Sequence, residues 1–202
     1  AQGQGTAQLL LDSTTVRPGS SFQGIIELTS PAGWHTYWRN PGESGQRTRI
    51  DWTLPEGITA GPVRWPTPRR LTEAGLTTYV YDDQVSFPIQ FTVAASHPPG
   101  PVTLKAKVSW LECKTECLPG QTNLTVTLQV GTAAVPSAHA ARIAAAEKGL
   151  PGRDATLRAA AGWTGPANGD ERPVVITSPE PGFEDFFPYE SRDYDLVAVL
   201  DQ

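Results

Sequence analysis

The chain contains two cysteines, Cys113 and Cys117, which lie four positions apart in a sequence of 202 residues. In a fully extended chain four steps span roughly 13 Å, whereas a disulfide requires its Cα atoms within about 7 Å of each other. The two cysteines can therefore bond only if the chain folds back between them. Pro119 and Gly120 follow directly and favour a bend at this point.

A disulfide that closes so short a loop contributes little to stability. The chain-entropy model gives roughly 2 kcal/mol for a five-residue loop. A crosslink that serves stability would join residues far apart in sequence, so the spacing favours a redox-active pair. A modest structural clip and a metal site are the alternatives that this argument leaves open.

The charges around the cysteines indicate the direction of electron flow. Glu112 and Glu116 flank the thiols, against a single Lys114. Nearby carboxylates disfavour the thiolate, and the sequence predicts no helix N-terminus that would lower the thiol pKa. A dithiol whose reduced form is not stabilised tends toward a reducing potential. We therefore predict that the pair donates electrons.

Alternating apolar residues before and after the cysteines predict the two strands that position them, at residues 102–110 and 122–130. Further strands are predicted at residues 8–12, 21–29, 50–54 and 85–93, with turns every 8–12 residues and no helix before residue 131. Residues 62–68 are punctuated by proline, which predicts an extended edge segment. This pattern predicts an all-β fold, an immunoglobulin-like β-sandwich.

The segment at residues 34–38 carries the other candidate site residues. In an extended chain Trp34, Thr36 and Trp38 share one face, and His35 and Tyr37 share the other. The simpler interpretation is a tryptophan row that faces the core, with His35 and Tyr37 pointing outward. The functional interpretation is that His35 and Tyr37 line the redox site.

Composition changes at Gly131, where the sandwich pattern ends. Residues 137–148 predict a helix with Ser137 as its N-cap, and residues 154–161 a second short helix. Residues 174–177 and 194–200 predict two strands, which are too few for an independent domain. We expect an immunoglobulin-like redox domain at residues 8–131, a helical linker at 132–170 and a partial second β unit at 171–202.

Composition and motifs also exclude several function classes. The net charge is −5 and the pI about 5.2, which argues against nucleic acid or an anionic membrane as partners. No apolar run approaches 18 residues, so this fragment is not expected to contact the membrane. The histidines, His35, His97 and His139, have no hydrolase motif context. The cysteine spacing does not fit the common zinc sites, but two thiolates suit Cu(I).

Four segments, taken in order, resemble a known family: GWHTYWRNPG at residues 33–42, WTLPEG at 52–57, PVRWP at 62–66 and WLECKTECLPG at 110–120. They resemble the N-terminal periplasmic domain of bacterial DsbD-like thiol:disulfide interchange proteins, in the branch that includes the suppressor-of-copper-sensitivity B protein. The resemblance covers about residues 8–131, and residues 132–202 fit only loosely.

The resemblance implies a periplasmic domain, mature after signal-peptide removal, of a protein anchored in the inner membrane. In that family a membrane domain passes electrons to a thioredoxin-like domain of the same protein, which reduces the N-terminal cysteine pair. The pair then reduces a periplasmic disulfide isomerase or another thioredoxin-fold protein, and the exchange needs no cofactor. Cytochrome c biogenesis and copper tolerance are the associated processes.

Carried over residue by residue, the resemblance makes Cys113 and Cys117 the redox pair, with Cys117 favoured for the mixed disulfide. It implies a flexible cap loop at residues 71–78 in which Leu76 alone would cover the sulfurs, whereas the familiar enterobacterial members have an aromatic cap and wider cysteine spacing. The implied neighbours are His35, Tyr37, Trp110 and Glu112, and the cap residues are Glu73, Gly75, Leu76 and Tyr79.

Two rival interpretations remain. One is an immunoglobulin-like binding or assembly module whose disulfide is structural and inert. The other is a Cu(I)-binding periplasmic domain that uses Cys113, Cys117 and His35.

Overall fold

The computed structural model describes residues 2–152, 160–169, 171–178 and 185–191. The chain divides into two compact units, residues 1–150 with 187–202, and residues 151–186. The elements in chain order are β1 (Thr6–Leu11), β2 (Ser13–Val16), β3 (Ser21–Thr29), β4 (His35–Gly42), β5 (Arg49–Thr53), β6 (Ile58–Ala60), β7 (Arg69–Glu73), β8 (Leu76–Asp82), β9 (Gln84–Val93), β10 (Gly100–Cys113), β11 (Cys117–Val130), β12 (Val135–Pro136), α1 (Ala140–Lys148), β13 (Ala160–Trp163) and β14 (Val174–Thr177).

The first unit is built from two sheets, and the predicted all-β, immunoglobulin-like fold is confirmed. One sheet has the strand order β1-β3-β9-β6, and the other β12-β2-β11-β10-β4-β8-β7, with β5 paired to β10. Alternate residues of β10 are buried, as in a half-buried strand, whereas β3, β4 and β8 contain runs of buried residues on both faces. Apolar side chains of the two sheets form one large core, which includes Ile26, Phe87, Phe91, Val108 and Trp110.

The longest hairpin carries the cysteines, and its turn lies earlier than the sequence suggested. β10 and β11 pair without interruption from Gly100 with Val130 to Cys113 with Cys117, so the chain turns at residues 114–116. Pro119 and Gly120 lie within β11. Among the described strands, β2 alone also pairs with β11, and only at its last residues. The Pro119 carbonyl accepts the Gly3 N–H and so points away from β10, and the missing N–H of Pro119 therefore breaks no ladder bond. Gly120 is required because a Cβ there would overlap the Trp110 ring.

A second hairpin replaces the predicted flexible loop at residues 71–78, which was wrong. β7 and β8 are antiparallel, with Glu73 opposite Leu76. Ala74 and Gly75 form the two-residue turn, with φ of 51° and 82°. Two left-handed residues are the geometry of a type I′ turn, whose twist matches that of the flanking strands. Alanine rarely occupies such a position, so the turn was not recognisable from the sequence.

Ala74 supplies a direct test of this turn. Ala74→Asn should raise the free energy of unfolding by about 1 kcal/mol, because asparagine tolerates the left-handed conformation that alanine resists. Gly75→Ala should lower it by a similar amount. Urea denaturation of the three proteins measures both effects, and a stability loss in Ala74→Asn would contradict the turn geometry.

Helix α1 packs on the outer side of the smaller sheet and belongs to the first unit. Ile143 is buried against Leu10 and Ile25, and Arg142 pairs with the buried carboxylate of Glu27 at 2.5 Å. The helix begins three residues after the predicted N-cap. Ser137 accepts the N–H of His139 at 2.9 Å, so its hydroxyl caps the preceding turn.

The second unit, where described, contains a two-stranded antiparallel sheet of β13 and β14. The predicted strand at residues 174–177 is confirmed. The predicted helix at 154–161 is wrong at Ala160 and Ala161, which lie in β13. Its residues 154–159 lie outside the described residues, as does the predicted strand at 194–200. Over the described part of the chain no helix has the length and apolarity to cross a membrane.

Candidate functional site

The two cysteines form a disulfide that closes the β10–β11 hairpin. Cys113 ends β10, Cys117 begins β11, and their Cα atoms are 4.1 Å apart. The Lys114 N–H donates to the Glu116 carbonyl at 3.0 Å, which completes the turn. The prediction that the chain folds back between the cysteines is confirmed.

The two halves of the disulfide differ in accessibility. Cys113 is only 3% exposed, whereas Cys117 is exposed at the tip of the hairpin. The Tyr37 hydroxyl donates a hydrogen bond to Cys113 Sγ at 3.0 Å. An incoming thiolate therefore meets Cys117 first, and attack there would release Cys113 as a thiolate beside a hydroxyl donor.

Strand β4 brings His35 and Tyr37 to the face of the sheet that carries Cys113. His35 is the cross-strand partner of Cys113 on one side and of Asp82 on the other. The simpler interpretation had His35 and Tyr37 pointing outward; they do lie on the face opposite Trp38, but both side chains are buried there. β4 lies between β10 and β8, and on one face the Tyr37 side chain packs beside Cys113 of β10 and Val80 of β8. On the other face Trp38 packs in the main core.

A small apolar cluster surrounds the buried sulfur. It consists of Tyr37, Val80 and Cys113, with Leu71 and Leu111 packed against it. The Tyr37 ring also lies against Gly45, which has φ of 99° and where a Cβ would overlap the ring. The cluster and Gly45 together hold the Tyr37 hydroxyl on the sulfur.

Charged groups from β7 and β8 complete the surroundings. Arg69 binds Asp82 through two hydrogen bonds of 2.7 and 2.9 Å, which lower the pKa of Asp82. Burial raises the pKa of Tyr37, and Glu73 adds to this. Tyr37 therefore remains a protonated donor at neutral pH.

His35 is uncharged at neutral pH. Burial lowers its pKa from the ordinary value of 6.5, and Arg69 lowers it further, although Glu73 and Asp82 act in the opposite direction. His35 therefore binds a proton at a lower pH in the folded state than in the unfolded chain, where its pKa is near 6.5. Stability attributable to His35 is complete above pH 6.5 and is lost as the pH falls toward the lowered pKa.

This linkage predicts a pH effect on stability. Between pH 7 and 5 the free energy of unfolding should fall with a slope of at most about 1.4 kcal/mol per pH unit from this one group, and His35→Gln should flatten the decline. Urea titrations at several pH values measure the slope, with His139→Gln as a surface control. An unchanged slope in His35→Gln would show that His35 is not the group responsible.

Trp110 and Glu112, the other two predicted neighbours, lie on the opposite side of the sheet from Cys113. Side chains alternate along β10, so Trp110 and Glu112 share the inner face. The Trp110 indole donates to the Glu112 carboxylate at 3.0 Å, and the Gly5 N–H donates to it at 3.0 Å. The sequence argument had assumed that the Glu112 carboxylate lies beside the sulfurs. It instead faces Gly5 and the Trp110 indole.

Of the predicted cap residues, Glu73 lies near the redox site, whereas Leu76 is exposed and Tyr79 lies on the inner face of the sheet. Glu73 approaches closely enough to affect both His35 and Tyr37. Leu76 is 45% exposed, whereas Leu71 packs against the cluster around Cys113. Tyr79 is buried on the inner face against the rings of Trp38 and Phe187.

Sequence reasoning missed three site residues, Arg69, Val80 and Asp82, and it included a fourth, Leu71, only as part of the cap loop at residues 71–78. Register places all four on the face that carries Cys113, because Asp82 is opposite His35, Val80 is opposite both Tyr37 and Arg69, and Leu71 lies two positions from Arg69. The alternation of residues 69–73 and 77–82 was the available signal, had the hairpin been recognised. Among the residues that the structure describes, no three His, Cys, Asp or Glu side chains are grouped closely enough to hold a metal ion.

The model of one protein family, the N-terminal domain of thiol:disulfide interchange protein DsbD, matches residues 6–129. No curated protein sequence matches the chain. Among solved structures, the N-terminal periplasmic domain of ScsB from Proteus mirabilis is similar, with 23% identity and a TM-score of 0.52, over 79% of this chain and 57% of that one. The BcpA major pilin subunit of Bacillus cereus is similar over 64% of this chain and 41% of its own, with 12% identity and a TM-score of 0.43.

Proposed function

The chain belongs to the family of N-terminal domains of thiol:disulfide interchange protein DsbD, and from this premise we propose that it is a periplasmic protein-disulfide reductase module. In this proposal it accepts two electrons from a thioredoxin-like domain of the same full-length protein. It passes them through Cys113 and Cys117 to a periplasmic thioredoxin-fold protein such as a disulfide isomerase.

The observation that carries the proposal is the asymmetry of the disulfide. One sulfur is buried under a hydroxyl donor, and the other is exposed on a short loop. A structural disulfide gains nothing from such an arrangement, since its two sulfurs never separate. An exchange site needs one sulfur that a partner can reach and a second that leaves easily.

Electron uptake follows from this geometry. A thiolate of the reduced donor attacks Cys117 Sγ, the Cys113–Cys117 bond breaks, and Cys113 leaves as a thiolate that accepts the Tyr37 hydrogen bond. The second donor thiolate then attacks its own partner sulfur in the mixed disulfide and releases the Cys117 thiolate. The donor ends as a disulfide and this chain as a dithiol.

Electron delivery is the same exchange in reverse. The exposed Cys117 thiolate attacks a disulfide of the substrate protein and forms a mixed disulfide. The Cys113 thiolate then attacks Cys117 Sγ, which restores the Cys113–Cys117 bond and leaves the substrate as a dithiol. Cys113 is cross-strand neighbour to Cys117, so the resolving attack requires no rearrangement of the fold.

Mixing the oxidised chain with a reduced thioredoxin-like domain tests the proposal. Alkylation and mass measurement should show two new thiols on this chain for each donor disulfide formed, while circular dichroism shows that the chain remains folded. If no thiols appear until denaturant is added, the proposal is wrong and the disulfide is structural.

A further inference from the structure

The exchange reaction makes no use of Glu112, which precedes Cys113 and is fully buried. Its carboxylate accepts hydrogen bonds from the Trp110 indole at 3.0 Å, from the Gly5 N–H at 3.0 Å, and from the Gln4 N–H. A buried carboxylate is costly unless it is paired or hydrogen-bonded. Two of the three donors come from residues 2–5, which we call the strap.

The strap holds both strands of the redox hairpin close to the cysteines. On β10 it binds Glu112, one residue before Cys113. On β11 the Gly3 N–H donates to the Pro119 carbonyl at 2.9 Å, two residues after Cys117. At this end of the hairpin, the strap is thus a second link between β10 and β11 besides their own ladder.

Glycine is required at two strap positions by close approach. A Cβ on Gly3 would lie 2.7 Å from Glu112 Oε1, and a Cβ on Gly5 would overlap Oε2. Neither residue has a left-handed φ, so the backbone conformation does not explain the choice. A side chain at Gly5 would displace the strap while leaving Glu112 itself unchanged.

We infer that Glu112 and the strap position the two thiols of the reduced pair, and that they thereby stabilise the disulfide over the dithiol. This inference rests on the proposed redox function. In the oxidised state the S–S bond itself holds the hairpin tip together, with Cα atoms 4.1 Å apart. In the reduced state that bond is absent, and the strap and the ladder alone keep the sulfurs within reach.

The coupling is reciprocal by thermodynamic linkage. If the strap favours the disulfide, then the disulfide favours the docked strap by the same factor. Reduction of the pair should therefore loosen residues 2–5, which bind Glu112 on the inner face of the sheet. Glu112 is a positioning residue in this account, since it acts on the thiols through the backbone of β10 and through the strap.

Reduction potentials of the wild-type protein and three variants, measured against a glutathione buffer, test the inference. Gly5→Ala should lower the equilibrium constant for disulfide formation about tenfold, which is a rise of about 30 mV in potential. Glu112→Gln should do the same. The double variant should shift no further than either single variant, because both changes break one contact.

Two control variants distinguish loss of the strap contact from two other effects: loss of a negative charge near the cysteines, and addition of a methyl group to a glycine. Glu116→Gln removes a carboxylate beside Cys117 that does not bind the strap, and it should leave the potential unchanged. Gly152→Ala adds a methyl group where no atom lies within 4 Å. A shift in Glu116→Gln as large as that in Glu112→Gln would show that charge is responsible, and would overturn the inference.

Amide hydrogen exchange of the wild-type protein provides a second readout that needs no variant. The Gln4 and Gly5 amides should exchange faster in the reduced than in the oxidised protein. Equal exchange in both states, with an unchanged potential in Gly5→Ala, would overturn the inference and leave the proposed function standing. A wild-type pair that never equilibrates with the glutathione buffer would overturn both.

Discussion

Replacing Cys113 by serine should convert the protein into a trap that holds its redox partner in a stable mixed disulfide through Cys117. The exposed Cys117 thiolate can still attack a partner disulfide, but the thiol that resolves the product is gone. Replacing Cys117 by serine should abolish capture, because Cys113 is buried beneath Tyr37. Both variants should lose all catalytic turnover.

Non-reducing gels of each variant, mixed with an oxidised thioredoxin-fold partner, measure capture directly. The Cys113→Ser/Cys117→Ser double variant is the blank. Denatured Cys117→Ser should react with an alkylating reagent as fast as a free thiol, which separates burial from chemical inertness. Equal or stronger capture by folded Cys117→Ser would reverse the assigned roles of the two cysteines.

Removing the Tyr37 hydroxyl should slow reduction of the disulfide by about tenfold to a hundredfold. A hydrogen bond to a charged group contributes about 1.5–3 kcal/mol, and Tyr37→Phe withdraws it from the departing Cys113 thiolate. The pKa of the Cys113 thiol in the reduced protein should rise for the same reason. Stopped-flow reduction and pH-dependent alkylation measure the two effects.

Tyr81→Phe is the matched control for this experiment. Its hydroxyl donates to the Pro66 carbonyl at 2.7 Å, and its ring packs in the core on the face away from Cys113. Tyr81→Phe should cost about 1 kcal/mol of stability and leave the exchange rate unchanged. If Tyr37→Phe reduces at the wild-type rate, then Tyr37 serves packing alone.

The strands that carry the cysteines could be predicted because their pattern is local. Alternation in β10 and β11 is read directly from apolar residues two positions apart, and the short cysteine spacing forces a turn. The β7–β8 hairpin could not be predicted, because Ala74 occupies a left-handed position that alanine resists. Residues 71–78 were therefore assigned to a loop, and without the hairpin register Arg69, Val80 and Asp82 could not be placed in the site.

The environment of the candidate site could be predicted only in part, because burial of a strand depends on distant partners. The sequence placed His35 and Tyr37 correctly on one face of β4, but it could not show that side chains of β8 and β10 would pack around Tyr37 on that face. Glu112 appeared to be a charge beside the thiols. Its true partners, Gln4 and Gly5, lie more than a hundred positions earlier, and no local pattern links them to it.

The redox equilibrium of the Cys113–Cys117 pair in the wild-type protein tests the central claim most directly. The folded protein should be incubated in glutathione or dithiothreitol buffers of graded potential and read by thiol alkylation and mass. The account predicts rapid equilibration at a potential between those of thioredoxin and protein disulfide isomerase, about −270 and −180 mV. A pair that stays oxidised in strong reductant, or that exchanges only after unfolding, would contradict it and would identify the disulfide as structural.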